Sequence, residues 1–360
     1  MNRMTRIEKL RGSLQLKSGE CALISSDTNR AYFSRFADTD GFLLISPDDA
    51  IMLTDSRYFE AAKAEAKDVH VVLLKKQYSQ LREILEERKI SEILLERDNV
   101  TLSQFALFEE KLTEKTVIGS KELSQKIKKL REIKDEEEIA CIAAAQRIAE
   151  QSLCELLPEI VPGIRERDIA AKLEFLMRKN GSEGASFDTI ALAGKNTSKP
   201  HGVPSDYAVK NGDFVLLDFG AIKGGYHSDM TRTFCIGEPT EKMRRVWEIV
   251  LEAQKRAFEA IAVNKECCEI DKAARDFIGA EGFGDAFGHG LGHSVGLEIH
   301  ESPSFSKSCA TPLTKGMVLT VEPGIYLENE FGVRIEDIIA MNENGFDNLT
   351  KFNKQLNLYV

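Results

Sequence analysis

Four acidic residues close or interrupt apolar runs in the second half of this chain, and their placement limits what it can fold into. Asp218 follows Phe214-Val-Leu-Leu, and Glu322 follows Met317-Val-Leu-Thr-Val. Glu336 sits inside Val333-Arg-Ile-Glu-Asp-Ile-Ile, and Asp229 lies in a short strand just across a Gly224-Gly225 turn from Asp218. Carboxylates are rarely buried unless they are paired or hold a metal. The spacing from Asp218 to Asp229, with Gly220, Gly224 and Gly225 between, allows a hairpin that brings both acids to one end of a sheet. The segment Leu327-Glu-Asn-Glu-Phe-Gly332 allows a second hairpin for Glu322 and Glu336.

Two such hairpins make an oxygen-rich pocket that repels itself unless cations are present. Four carboxylates match the charge of two divalent metals. The other outlet for these acids is pairing with Arg232, Arg334 or surface lysines. His293 adds a nitrogen donor, and such a mixed set suits manganese, cobalt, zinc or iron. Two metals about 3.5–4 Å apart hold a bridging water and acidify it into a hydroxide nucleophile near neutral pH.

The six histidines are His70, His201, His227, His289, His293 and His300, and the last five share the region of the four acids. Gly288-His-Gly-Leu-Gly-His293 is weak as a phosphate loop, since no clear βαβ unit surrounds it. It is not a zincin helix either, because position 290 is glycine. It reads as a glycine-rich loop presenting His289 and His293 where backbone passes close to metal or substrate. His227 is read as a residue at the pocket rim, and His70, opening a strand, as a structural histidine.

The rest of the chain frames this region. Its 360 residues allow more than one core. Short apolar runs and helical stretches alternate over residues 1–125, as in a compact α/β domain. Residues 121–157 read as one long helix, polar then packed, connecting two domains, with its Asp135–Glu138 run as a face in water. Residues 126–360 then read as a curved, mainly antiparallel sheet backed by helices, so the whole is α+β. The formal charge is −10, with −1 in residues 1–126 and −9 in residues 127–360. That excess argues against a nucleic-acid partner. No window is apolar enough for a membrane span, and the start has no apolar core of a signal peptide. Seven scattered cysteines without a CxxC pattern suit reduced thiols in a cytoplasm.

The stretch Ser198-Lys-Pro-His201 through His227-Ser-Asp-Met-Thr-Arg-Thr-Phe234, with Phe287-Gly-His-Gly-Leu-Gly-His293, Leu297-Glu-Ile-His300, Glu322-Pro-Gly-Ile-Tyr326 and Gly332-Val-Arg-Ile-Glu336, resembles the pita-bread metallopeptidases. It is most similar to their Xaa-Pro aminopeptidase and Xaa-Pro dipeptidase (prolidase) branch. A looser likeness runs through residues 29–46 and 53–62, with Ser34-Arg35-Phe36 where relatives usually carry Gly-Phe. The resemblance implies two divalent metals per subunit, manganese foremost. Asp218 would bind one metal, Asp229 and Glu336 would bridge both, and His293 and Glu322 would complete the other. Glu322 would also be the general base. His300 would steady the tetrahedral intermediate, His201 would contact substrate and move protons, and His289 would line the substrate pocket. Arg334 would orient a ligand carboxylate, and Tyr326 would support the pocket.

The expected activity is hydrolysis of the Xaa-Pro bond, in dipeptides or at the N-terminus of longer peptides with proline second. A homodimer is expected with it. Two rival readings share the fold: a non-catalytic binding module, and a metal-independent amidinohydrolase of the creatinase kind.

Overall fold

The computed structural model describes residues 4–37 and 40–357. The first residues of the opening segment, and Asp38 and Thr39 inside the looser likeness, lie outside them. The chain divides into two compact units, Met1–Arg131 and Glu132–Val360.

In the first unit the order is α1 (Arg6–Leu14), β1 (Glu20–Ile24), α2 (Asp27–Ser34), β2 (Gly41–Ile45), β3 (Ala50–Thr54), α3 (Phe59–Glu65), β4 (His70–Leu73), α4 (Gln77–Glu87), β5 (Glu92–Glu96), α5 (Leu102–Lys111), β6 (Thr116–Ser120) and α6 (Lys121–Glu132). The strands form one mixed sheet in the order β4-β3-β2-β1-β5-β6. The continuous apolar runs in β1, β2 and β3 become almost wholly buried strands, as expected for a sheet covered on both faces. His70 lies exposed at the start of the edge strand β4.

The expected single helix over residues 121–157 is two. α6 ends at Glu132, and α7 (Glu136–Leu156) starts afresh behind Asp135. Asp135 accepts from the Glu138 backbone N–H while the Glu138 side chain accepts from that of Asp135, a capping box that favours a helix start here. The acidic run is therefore not simply a face in water. Asp135 is a cap, and Glu138 is buried and accepts a 2.7 Å hydrogen bond from the Tyr226 hydroxyl.

The second unit continues with α8 (Glu166–Lys179), β7 (Ile190–Ala193), β8 (Phe214–Phe219), β9 (Ile222–Lys223), β10 (Tyr226–His227), β11 (Met230–Cys235), α9 (Glu241–Ala260), α10 (Cys267–Ala280), β12 (Gly292–Ser294), β13 (Glu301–Phe305), β14 (Val318–Val321), β15 (Gly324–Leu327), β16 (Phe331–Arg334), β17 (Asp337–Asn342) and β18 (Gly345–Asn348). Among the described residues its ladders are β11-β8-β7, β13-β12-β14-β17-β18 and the pairs β10-β9 and β15-β16, all antiparallel. One apolar core packs α9 and α10 on β14 and β17 through Trp247, Val250, Ile270, Leu319 and Ile339. A second packs α7 and α8 on β7, β8 and β11 through Leu153, Leu173, Ala191, Val215 and Met230.

Three of the four acids sit at interruptions between strands. Asp229 lies between β10 and β11, Glu322 between β14 and β15, and Glu336 between β16 and β17. Asp229 is thus outside any strand, contrary to expectation. Only Asp218 stays within its ladder, opposite Thr231 and Ile190. A side chain in a break no longer obeys the alternation of a pleated strand, so its carboxylate turns where the ladder would not send it.

Candidate metal centre

The two hairpins meet through backbone and side chains together. The Glu336 N–H donates to the Thr231 carbonyl at 3.1 Å, and Thr231 Oγ1 donates to Glu336 Oε2 at 2.6 Å. Thr231 faces Asp218 across the β8–β11 ladder, so this contact carries Glu336 to Asp218 and Asp229. On the other side β12 pairs with β14 and places His293 beside Glu322. Asp229, His293 and Glu336 each offer a ligand atom within 4.8 Å of the other two. His293 Nε2 stands 3.6 Å from Asp229 Oδ2 and 3.5 Å from Glu322 Oε1. Its Nδ1 is 3.1 Å from the Ser294 carbonyl, so the tautomer with Nδ1–H donating leaves Nε2 free as a ligand.

The electrostatics are those of crowded like charges. Burial raises the affinity of Asp229 for a proton well above the carboxylate range, and Glu336, Asp218 and Glu322 add to it. Glu336 is raised by burial and then by Glu322 and Asp218. Glu322 is pushed up to about 8, chiefly by burial, with Arg334 pulling the other way. His293 falls to about 4 through burial and the neighbouring His300, which keeps its ring neutral. Asp218 Oδ1 and Asp229 Oδ1 are buried and find no hydrogen-bond partner among the described residues. Orphaned acceptors on adjacent acids, beside a neutral imidazole nitrogen, fit a divalent cation in oxygen-rich coordination.

The surrounding residues aim this set. Arg334 donates to Asp218 Oδ2 at 2.6 Å, Tyr326 Oη at 2.7 Å, Thr231 Oγ1 at 3.0 Å and the Pro200 carbonyl at 3.3 Å. Tyr326 is not among the residues that line the cavity, and it supports them from behind. It is half-buried behind the wall, where its hydroxyl joins Arg334 to His289 Nε2 at 3.0 Å. His289 Nδ1 is 2.8 Å from the Gly290 carbonyl, so both ring nitrogens are engaged within the protein. Burial lowers His289 to about 4. Its loop hangs from α10: Arg275 donates to the Phe287 and His289 carbonyls at 3.0 and 2.7 Å, and Asp271 accepts from the Leu291 N–H at 3.1 Å. Glycine at 292 is required by close approach, since a Cβ there would lie 2.1 Å from the Thr320 carbonyl oxygen.

The acids and His293 open on a cavity of about 790 Å³. His201, His289 and His300 also line it, as do Phe187, Ile190, Val203 and Ile299. His201 and His300 are exposed, and the His300 ring stands edge-on to His293 with centroids 4.3 Å apart. His227 is not among the lining residues. β10 ends at His227, so Asp229 lies beyond the strand that carries this histidine, and burial lowers the His227 pKa.

Gln254 was not singled out from the sequence. It is fully buried, and its amide donates to the carbonyls of Val321 at 2.9 Å and Ile335 at 3.2 Å, the residues just before Glu322 and Glu336. One α9 side chain thus occupies carbonyls left by two strand breaks. The sequence signal is a polar residue on the apolar stripe Met243, Val246, Trp247, Val250 and Ala257.

Two hairpins of acids on an antiparallel scaffold, preceded by a separate α/β unit, define the class. The chain belongs to metallopeptidase family M24, which it matches over residues 140–343, and residues 6–133 match the Creatinase/Prolidase N-terminal domain. An Xaa-Pro dipeptidase of Pyrococcus furiosus is 42% identical over 352 residues, 98% of this chain and 99% of that protein. The structure of an Xaa-Pro dipeptidase from Bacillus anthracis matches with a TM-score of 0.92 at 38% identity, covering 98% of each chain. That of an X-Pro aminopeptidase from Thermotoga maritima gives 0.90 at 38% identity, covering 96% of this chain and 99% of its own. The two-domain α+β architecture is common to them, and the chain is a peptidase of a metal-dependent family. Among the described residues no helix is long and apolar enough to cross a membrane.

Proposed function

We propose that this metallopeptidase hydrolyses the Xaa-Pro bond, in dipeptides and at the N-terminus of peptides with proline second. The observation that carries the reading is the convergence of Asp218, Asp229, His293, Glu322 and Glu336, with two orphaned carboxylate oxygens, in a chain alike over its whole length to proteins named for that bond.

When bound, two divalent cations supply a Lewis acid and water acidified toward neutral pH, and manganese, cobalt, zinc and iron all suit the ligands. Asp218, Asp229, His293, Glu322 and Glu336 would hold them, Asp218 on one side, His293 and Glu322 on the other, and Asp229 and Glu336 between. Arg334 fixes Asp218 Oδ2 and leaves Oδ1 to the metal. Glu322, which lines the cavity with the other acids, accepts the proton of the attacking water. His300, exposed at the lip, donates to the developing oxyanion. The proline nitrogen carries no N–H and must gain a proton as it leaves, a transfer we assign to His201, which lines the cavity. His289, with both nitrogens engaged, shapes the wall rather than transferring protons.

A reducing compartment belongs to the same reading, supported by seven unpaired cysteines. So does a homodimer, on kinship alone, and sedimentation at the mass of one chain would end that part.

The test strips the protein with chelator, restores it with manganese, cobalt or zinc, and compares Ala-Pro with Ala-Pro-Gly-Gly. We expect release of alanine that is lost on chelation and restored with two metals bound per chain. No metal-dependent release from either peptide would overturn the reading.

A further inference from the structure

We propose that Glu166 is a positioning residue that closes the segment 194–204 into a fixed loop and so places His201 over the reacting bond. The proposal rests on the role given to His201 above, and concerns a residue that is not among those lining the cavity.

Glu166 opens α8 and is fully buried. Its Oε1 accepts from the Ala193 N–H at 2.7 Å and from Asn196 Nδ2 at 3.0 Å. Its Oε2 accepts from the Ser205 N–H at 2.9 Å and from Ser205 Oγ at 2.5 Å. One carboxylate therefore grips the chain just before and just after the segment that carries Pro200, His201, Gly202, Val203 and Pro204 to the cavity. The grip is reciprocal, because the Glu166 and Arg167 N–H groups donate to the carbonyls of Tyr207 at 3.0 Å and Ser205 at 3.2 Å. These N–H groups belong to the first turn of a helix, which has no partners of its own for them.

Between the gripped ends the segment is fastened to the metal-bearing hairpin. Thr197 Oγ1 accepts from the Gly332 N–H at 2.8 Å, and Arg334 donates to the Pro200 carbonyl at 3.3 Å. His201 itself is exposed, and its place follows from these anchors. A carboxylate suits the task because it offers only acceptors to four donors, and charge-assisted hydrogen bonds are the stronger kind. Glutamine keeps the shape yet must turn an N–H toward one of those donors.

The variants are Glu166→Gln, His201→Ala and their combination, each checked for a native melting curve and full metal loading. Glu166→Ala, which leaves three N–H donor groups without this acceptor, serves only as a comparison for folding. On Ala-Pro-Gly-Gly we expect Glu166→Gln to lower kcat about tenfold with KM within about threefold. In the His201→Ala background the same change should do almost nothing, because the two residues act as one unit. Trypsin gives a reading independent of activity: cleavage after the exposed Lys195 should quicken about tenfold in Glu166→Gln. An equal loss in both backgrounds, or an unchanged cleavage rate, overturns the proposal. If no Xaa-Pro peptide is hydrolysed at all, the assigned reaction fails, and the tryptic rate alone still decides whether Glu166 holds the segment.

Discussion

Glu96 in the N-terminal unit and Asp218 in the C-terminal unit have almost the same local sequence. Each follows an apolar run, Ile93-Leu-Leu95 in β5 and Phe214-Val-Leu-Leu217 in β8, and each is buried. Their surroundings differ. Glu96 Oε1 accepts from Asn29 Nδ2 at 2.6 Å, and its Oε2 from the N–H groups of Ser25 and Ser26 at 2.8 and 3.1 Å. Burial lifts its pKa while these donors pull it back. Asp218 shares its pocket with three more acids and keeps one oxygen without a partner. An acid ending an apolar strand is therefore no sign of a metal by itself. Several such acids that converge, with fewer donors than acceptors, make that sign.

The sharpest way to break this contrast is to neutralise one acid in each unit. Glu322→Gln should lower kcat by about 10³-fold or more, in the range of a lost general base, while circular dichroism stays native. Activity within tenfold of wild type would refute the assignment of the base. Gln254→Met keeps the volume and removes the amide behind Glu322 and Glu336. Loss of such a supporting contact should weaken metal affinity by about 10–100-fold, read by competition with a chelating dye. An unchanged affinity would show that the strand breaks hold without it.

The pH dependence separates the units further. Folding raises Glu322 from an ordinary value of 4.5 to about 8, so between those values the folded chain binds more protons than the unfolded one. With chelator present, stability should be highest below about pH 4.5 as far as this group is concerned, and should decline as the pH rises toward 8. Metal should abolish that decline, since it favours the ionised form. Melting curves from pH 5 to 8 with and without chelator will show it, and parallel curves would contradict it. The smallest effect belongs to Glu96→Gln, which should destabilise the protein by about 1–3 kcal/mol through an unmatched buried N–H, with kcat unchanged.

Much of this was legible in the sequence. The apolar runs marked strands, the sheet-backed-by-helices layout was expected, and the acids drew attention to two hairpins. The interruptions were not legible, because periodicity reads Val318 to Leu327 as one run and cannot show that Glu322-Pro323 leaves the ladder. The helix break before Asp135 was missed because unbroken charge looks continuous, although Asp135 and Glu138 have the spacing of a capping box. Roles that depend on distant partners, such as those of Gln254, Glu166 and Tyr326, left at most a faint mark: each is a polar residue whose meaning lies in what another element places against it.

The interruptions at Asp229, Glu322 and Glu336 make the chemistry of this sheet separable from its upkeep. None of the three acids occupies a rung of the ladder, and the carbonyls exposed beside two of them are taken up by a helix. Exchanging an acid therefore removes charge without removing a backbone hydrogen bond. The ladder hydrogen bonds ask nothing of these three side chains, which makes their positions the natural ones to randomise in a search for new metals or new reactions.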